Sequence, residues 1–218
     1  LTNTNLAALV DTQIAALSGT QLNALSNANL SQLDSTQSGA LTATQIKGLT
    51  TTQIDALGAA DVAEFTTTQL SNLLTTQVQA LTATNVASLA GTQVAAFGAT
   101  QVGRMTTDAL AALDATQMAA LTTTQVKGLT STQLSALDAT DIAEFSETQL
   151  GALTKTQVQA LTSTNMASLA GTQIAAFSST QLQSLSATTL SALDSNQAAA
   201  LTTTQMSGLT TTQVGGLN

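Results

Sequence analysis

Residues 121–128 read LTTTQVKG and residues 201–208 read LTTTQMSG. The same eight-residue frame runs through the whole chain. Every eighth residue from Leu1 to Leu217 is Leu, Phe or Met, without insertion or deletion, giving twenty-seven octads followed by Leu217 and Asn218. A fixed short period overrides chain length as a guide to domain number and points to a quasi-one-dimensional stack whose repeats touch only their neighbours. The expectation is a single continuous array over residues 1–218.

One long helix does not fit this period. At ~100° per residue an octad turns about 80° past two full turns, so the leucines would spiral around the helix instead of keeping one face. A heptad coiled coil is excluded for the same reason. The octad instead reads as a helix start repeated every eight residues. Position 2 is usually Thr, Ser or Asp, and position 5 is Gln in nineteen of the twenty-seven units. That is the Ser/Thr-x-x-Gln capping box, in which each side chain satisfies the other residue's backbone N–H. Position 1 then stands at N′ and position 6, aliphatic in all units but those with Ser38 and Ala198, stands at N4. These two make a hydrophobic staple. Thr at position 4 is the rival cap, and would move every helix start by two residues. Position 8 is mostly Ala, Gly or Ser, small enough for backbones to approach closely, and glycine at positions 3, 7 and 8 suits tight corners. Helices below about 12 residues are marginal in water, so such short ones hold only if they stack.

The octads that lack Gln indicate how the stack winds. Position 5 is Asn5, Asn29, Asp61, Asn85, Ala109, Asp141, Asn165 and Thr189 in those units, at intervals of 3, 4, 3, 3, 4, 3 and 3 octads. If one side of a superhelix does not hold Gln, a turn contains about 3.3 octads, or roughly 27 residues. The fold expected is therefore all-α: a solenoid of very short capped helices, one per octad. A β-solenoid of three octads per coil is the alternative, because Thr and Val suit strands. Against it, positions 1 and 6 have opposite parity and would face opposite sides of a flat strand, and the intervals of four break an integral register. A longer period of eighty residues overlies the octad, since 81–120 matches 161–200. The frame is a half repeat at 1–40, full repeats at 41–120 and 121–200, and a partial one at 201–218. Neither terminal octad looks like a cap, so either more repeats flank the array or units stack end to end.

Composition narrows the chemistry. Four basic residues (Lys47, Arg104, Lys127, Lys155) stand against twelve acidic ones for a net charge of −8, the wrong sign for a nucleic-acid partner. No apolar run approaches the ~20 residues that span a bilayer, so membrane insertion is not expected. Cys, His, Trp, Tyr and Pro are all absent, which removes most nucleophile, imidazole and thiolate chemistry. No catalytic, cofactor or metal residues are expected, and the chain reads as a non-enzyme. Asp61 with Glu64, and Asp141 with Glu144, lie three apart and share a helix face, but calcium takes six to eight oxygens, so a solvated acidic face is the simpler reading. Phe65, Phe97, Phe145 and Phe177, like Met105, occupy the octad Leu position and read as core plugs. The Thr rows at positions 2 and 4 invite comparison with the Thr-x-Thr arrays of ice-binding solenoids, although capping already accounts for position 2.

The run Leu-Thr-x-x-Gln-Val is similar to the opening of the repeat in TAL-effector DNA-binding proteins, but only over six residues and without their thirty-four-residue period or basic character. The whole chain resembles Leu-Thr-Thr-x-Gln-Val-x-Ala octad tracts of large, secreted or surface, adhesin-like bacterial proteins. That resemblance implies an extracellular stalk, rod or self-assembling filament at the bacterial surface and brings no site residues with it. Self-association or end-to-end stacking with further repeats is the partner it suggests. The alternative is a binding module, for ice along the Thr rows or for a peptide or glycan in a superhelical groove.

Overall fold

The computed structural model describes residues 3–217. Every regular element among them is a short α-helix, one in each octad, from α1 (Asn3–Ala7) to α27 (Thr211–Val214), and no strand occurs among the described residues. The β-solenoid alternative is thereby overturned. The parity of positions 1 and 6 decides it: the helix turns the N4 side chain back over the N′ residue, so both are buried together.

Octad 7 shows how the sequence builds each unit. In α7 (Thr51–Asp55), Thr50 is the N-cap with an extended backbone (φ −72°, ψ 157°) and its Oγ1 accepts from the Gln53 N–H at 3.1 Å. Gln53 Oε1 in turn accepts from the Thr50 N–H at 3.0 Å, closing the box. Leu49 at N′ is 4% exposed and Ile54 at N4 is fully buried. The helix ends at Ala56, and the Leu57 N–H donates to the Ile54 carbonyl at 3.2 Å before the chain turns into the next cap. Thr52 at position 4 lies exposed inside the helix, so the cap is position 2, and the two-residue shift offered by position 4 does not occur. Where position 2 has no side-chain cap, as at Leu74, Ala90 and Ala170, the position-5 glutamine still accepts from that residue's N–H. Half of the box survives without its threonine.

The corners do not use glycine's conformational freedom. No described residue has a positive φ. The turn is made by one right-handed residue followed by extended ones, which any residue adopts. Glycine contributes space instead. A Cβ on Gly208 would lie 2.8 Å from the Ser179 Cβ, and one on Gly151 would lie 3.0 Å from the Ala176 carbonyl oxygen. The small residues late in the octad therefore let successive coils touch.

The chain forms two compact units, Leu1–Leu113 and Asp114–Asn218. Within each, helices pack against the helix three octads along. In the first unit α8 (Ala59–Ala63), α11 (Ala83–Ala87) and α14 (Thr107–Ala111) form one such column, and α3 (Gly19–Asn23), α6 (Ala43–Gly48) and α9 (Thr67–Asn72) another. In the second unit α18 (Ala139–Ala143), α21 (Ser163–Ser168) and α24 (Ala187–Leu190) stack likewise. In each unit the core is a lining of position-1 and position-6 side chains. Phe65, Phe97, Phe145, Phe177 and Met105 all lie within it, each no more than 4% exposed, in the plug role expected of them.

Candidate functional site

The recurrent polar feature of the molecule is the second hydrogen-bonding half of the position-5 glutamine. Its Oε1 is committed to the N-cap of its own helix, which leaves Nε2 with two protons to donate. Gln77 Nε2 donates to the Ile46 carbonyl at 2.8 Å and to the Leu49 carbonyl at 2.7 Å. Gln157 Nε2 donates to the carbonyls of Val126 and Leu129, both at 2.8 Å. The acceptors stand 31 and 28 residues earlier, on either side of the corner that joins the fourth preceding octad to the third. Seven glutamines in each unit make such ties to carbonyls of their own unit.

These carbonyls are the ones a helix end leaves without an i+4 partner. The position-6 carbonyl also accepts from the next leucine's N–H, as Ile46 does from Leu49 at 3.1 Å, whereas the position-1 carbonyl, buried and unpaired, would cost about 1–3 kcal/mol. One amide thus caps the start of its own helix and closes the corner of the coil beneath it. Because helices pack three octads apart while the glutamines reach back toward the fourth, a turn holds more than three and fewer than four octads. That agrees with the 3.3 inferred from the octads without Gln.

The octads without Gln tie differently or not at all. Asn85, one methylene shorter than Gln, reaches a single corner carbonyl, that of Leu57 at 2.9 Å, while the Ser88 Oγ donates to the Ala59 carbonyl at 2.8 Å. Asn165 Nδ2 donates to the Leu137 carbonyl at 3.0 Å and, more distantly, to that of Asp138 at 3.4 Å. At Ala109 no polar side chain is present and the residue is fully buried. Capping also survives the change of residue. Asp61 Oδ2 accepts from the Gly58 N–H at 2.8 Å, and Asp141 Oδ2 from the Asp138 N–H at 3.0 Å.

The two carboxylate pairs depart from the solvated face expected of them. Glu64 and Glu144 each follow the last residue of their helix and each carries one carboxylate oxygen, Oε2, shielded from solvent and without a hydrogen-bond partner. Burial pushes the Glu64 carboxyl above its ordinary range; a hydrogen bond with Ser38 opposes this, and Asp61 and Asp34 add to the rise. Glu144 is raised by burial first, then by Asp141, Asp114 and Asp138. Asp141 is also raised by burial, against the lowering effect of its backbone hydrogen bond with Asp138. Ser38, the exception at position 6, sits in the core at 3% exposure, beside a void of ≈ 10 Å³ that it lines with Asp61 and Phe65. No group of three or more acidic residues capable of holding a metal occurs among the described residues.

The Thr rows do not form one free hydroxyl lattice. Position-2 hydroxyls are engaged in capping, and some also donate to the glutamine, as Thr42 Oγ1 does to Gln45 Oε1 at 2.9 Å. Position-4 hydroxyls such as Thr52, Thr68 and Thr124 are exposed. An open hollow of ≈ 490 Å³ lies on the second unit against Ala143, Phe145, Ser146 and Gln173, where Gln173 ties octad 22 back to the carbonyls of Ala143 and Phe145.

The unit defined by this geometry runs from the small residue at position 8, through Leu and the capping threonine, to the tying glutamine. Residues 174–211 match the ALTTAQ repeat family. Ala200–Gln205, inside that match, reads ALTTTQ and supplies a corner, a staple residue, an N-cap and a tie in order. The match covers fewer than five octads, but the frame it identifies is the one that runs through all twenty-seven, and the chain is a tandem octapeptide repeat. No curated protein matches the chain. No described helix is long and apolar enough to cross a membrane.

The double use of glutamine was missed in the sequence, yet it left a signal there. A capping box accepts Glu as readily as Gln, and position 5 is never Glu in this chain. Only the amide has the donors.

Proposed function

We propose that the chain is a structural spacer, a stiff non-catalytic stalk or rod whose length is set by the number of octads, working outside a bacterial cell as part of a surface or secreted repeat protein. The observation that carries this reading is the tie itself. Each glutamine fastens its octad to the corner 28 to 31 residues earlier, and the same pattern recurs in both units. A coil fastened to the coil below at nearly every octad resists bending and stretching through many hydrogen bonds loaded together. The low charge and the absence of cysteine suit a surface that works in any redox setting. The resemblance to adhesin-like octad tracts supports the location.

Removal of residues 121–200, one full eighty-residue repeat, tests the reading. Small-angle scattering of the shortened chain is expected to show a maximum dimension reduced in proportion to the ten octads removed, at unchanged helix content per residue. An unchanged maximum dimension, or loss of helix, would count against a spacer.

A further inference from the structure

Among the described residues, one three-octad step in each unit is loose, and it is the step lined by carboxylates. In the first unit α5 (Ser35–Ala40) packs on α2 (Asp11–Ala15), and α11 packs on α8, but α8 does not pack closely on α5. In the second unit the loose step lies between α15 (Ala115–Ala120) and α18, although α21 packs closely on α18. Octads 8 and 18 carry Asp61 and Asp141 where most octads carry the tying glutamine. At the first of these steps acceptors gather without donors. Asp34 is the N-cap of α5, Glu64 holds a shielded oxygen without a partner, and the charges acting on Glu64 are those of Asp61 and Asp34. The helix packed on α8 from the other side, α11, carries no ionisable side chain. The Leu33 carbonyl stands 28 residues before Asp61, as the Leu49 carbonyl stands before Gln77, yet it receives no hydrogen bond among the described residues. Leu33, Ser38 and Asp61 line one void of ≈ 10 Å³. The second step has the same character, with Asp141, Asp114 and Asp138 acting on Glu144.

Asn85 shows what Asp61 lacks. Its Oδ1 accepts from the Thr82 N–H at 3.0 Å while its Nδ2 donates to the Leu57 carbonyl, 28 residues earlier, at 2.9 Å. Asp61 has the same length and shape, and its Oδ2 already accepts from the Gly58 N–H at 2.8 Å, so its Oδ1 takes the place of the asparagine nitrogen. As a carboxylate oxygen Oδ1 only accepts, and with a proton it becomes a donor. We propose that the step between α5 and α8 is a proton-operated clasp, open while Asp61 is a carboxylate and closed when Asp61 takes a proton from solvent and donates a hydrogen bond to the Leu33 carbonyl. The protonated aspartate then makes the tie that asparagine makes at Asn85. A proton on Glu64, whose carboxyl burial holds above its ordinary range, removes the negative charge beside it, so the two protonations favour the same closed state. Closure tightens the one loose step of the unit as pH falls, and it does so whether or not the chain serves as a spacer.

Hydrogen exchange of the 218-residue chain in dilute solution, read by mass spectrometry on peptides covering 33–41 and 57–65 and corrected for the intrinsic rate, tests the clasp. Between about pH 7.5 and about pH 4, backbone protection in those peptides is expected to rise about tenfold, and to change less than about twofold in 81–96, a stretch without acidic residues. Asp61→Asn, which copies Asn85 and carries its donor at every pH, is expected to keep the parent's helix content by circular dichroism. At neutral pH it is expected to show the protection that the parent gains only in acid. Glu64→Gln is expected to retain the rise, because Asp61 is still there to titrate. Protection in the parent that does not change with pH overturns the clasp, as does Asp61→Asn no better protected than the parent at neutral pH. Loss of the rise in Glu64→Gln also overturns it, by assigning the effect to Glu64 alone. So does an equal rise in 81–96, which would assign it to relief of the net charge of −8.

Discussion

Octads 20 and 18 lie sixteen residues apart in the second unit and solve the same problem differently. In α20 (Lys155–Gln159), Gln157 takes the N–H of Thr154 and gives two hydrogen bonds to the coil below. In α18, Asp141 takes the N–H of Asp138 and gives nothing, and the octad ends in Glu144 with an unpartnered buried oxygen. Capping is thus common to both octads, while a tie between coils needs a side-chain amide at position 5, which Gln157 has and Asp141 lacks. The difference separates two tasks that one residue performs in the Gln octads. Capping starts the helix, and the tie holds the coils in register.

The largest effect is expected where capping is kept and the tie destroyed. Gln157→Glu retains the cap oxygen but places a carboxylate against the carbonyls of Val126 and Leu129 at a site 4% exposed. The loss is expected to be about 3 kcal/mol or more, since the Leu129 carbonyl loses its donor, the Val126 carbonyl keeps only the Leu129 N–H, and a charge is buried without a partner. Urea unfolding of the two proteins measures it. If Glu is tolerated at the cost of a surface substitution, the tie contributes nothing. A smaller effect is expected at Asn165, where Asn165→Gln forces an extra methylene into a position 1% exposed. Overpacking of this kind costs about 1–3 kcal/mol, and a stabilised variant would show that the site has room for the longer amide.

Much of this was legible beforehand because it is local. The capping box, the N′ and N4 staple and the small corner residues all lie within eight residues, and the structure places Thr50, Gln53, Leu49 and Ile54 in those roles. Even the winding was readable, since Asp61, Asn85 and Ala109 recur at three-octad spacing and their helices stack in one column. The tie was not, because it joins residues about thirty apart and depends on which side chain still has donors after capping. The shielding of Glu64 and Glu144 was hidden for a similar reason. A glutamate three residues after an aspartate looks solvated on an isolated helix, and only the neighbouring coil covers it. The close approach at Gly208 is the one read for position 8, whereas Gly151, read as a corner former, is also held by the close approach of the next coil.

The subtlest expected effect concerns pH. The carboxyls of Glu64, Asp141 and Glu144 all titrate above their ordinary ranges in the folded chain. The folded state therefore binds protons more readily than the unfolded one, and stability is greatest below the ordinary carboxylate range and falls as pH rises through the elevated folded values. The melting temperature is expected to rise as pH is lowered from neutrality toward the ordinary glutamate range. In Glu64→Gln/Glu144→Gln that slope is expected to flatten. An unchanged slope would assign it to the general charge of −8 rather than to these groups.

The central claim, that glutamine amides fasten each coil to the one beneath, is tested most directly by hydrogen exchange of the glutamine side-chain amides in 15N-labelled protein. The Nε2 protons of Gln77 and Gln157 are expected to exchange as slowly as the core backbone amides, and those of Gln13 and Gln21, both exposed, at the rate of a free amide. Equal, fast exchange at all four would contradict the account.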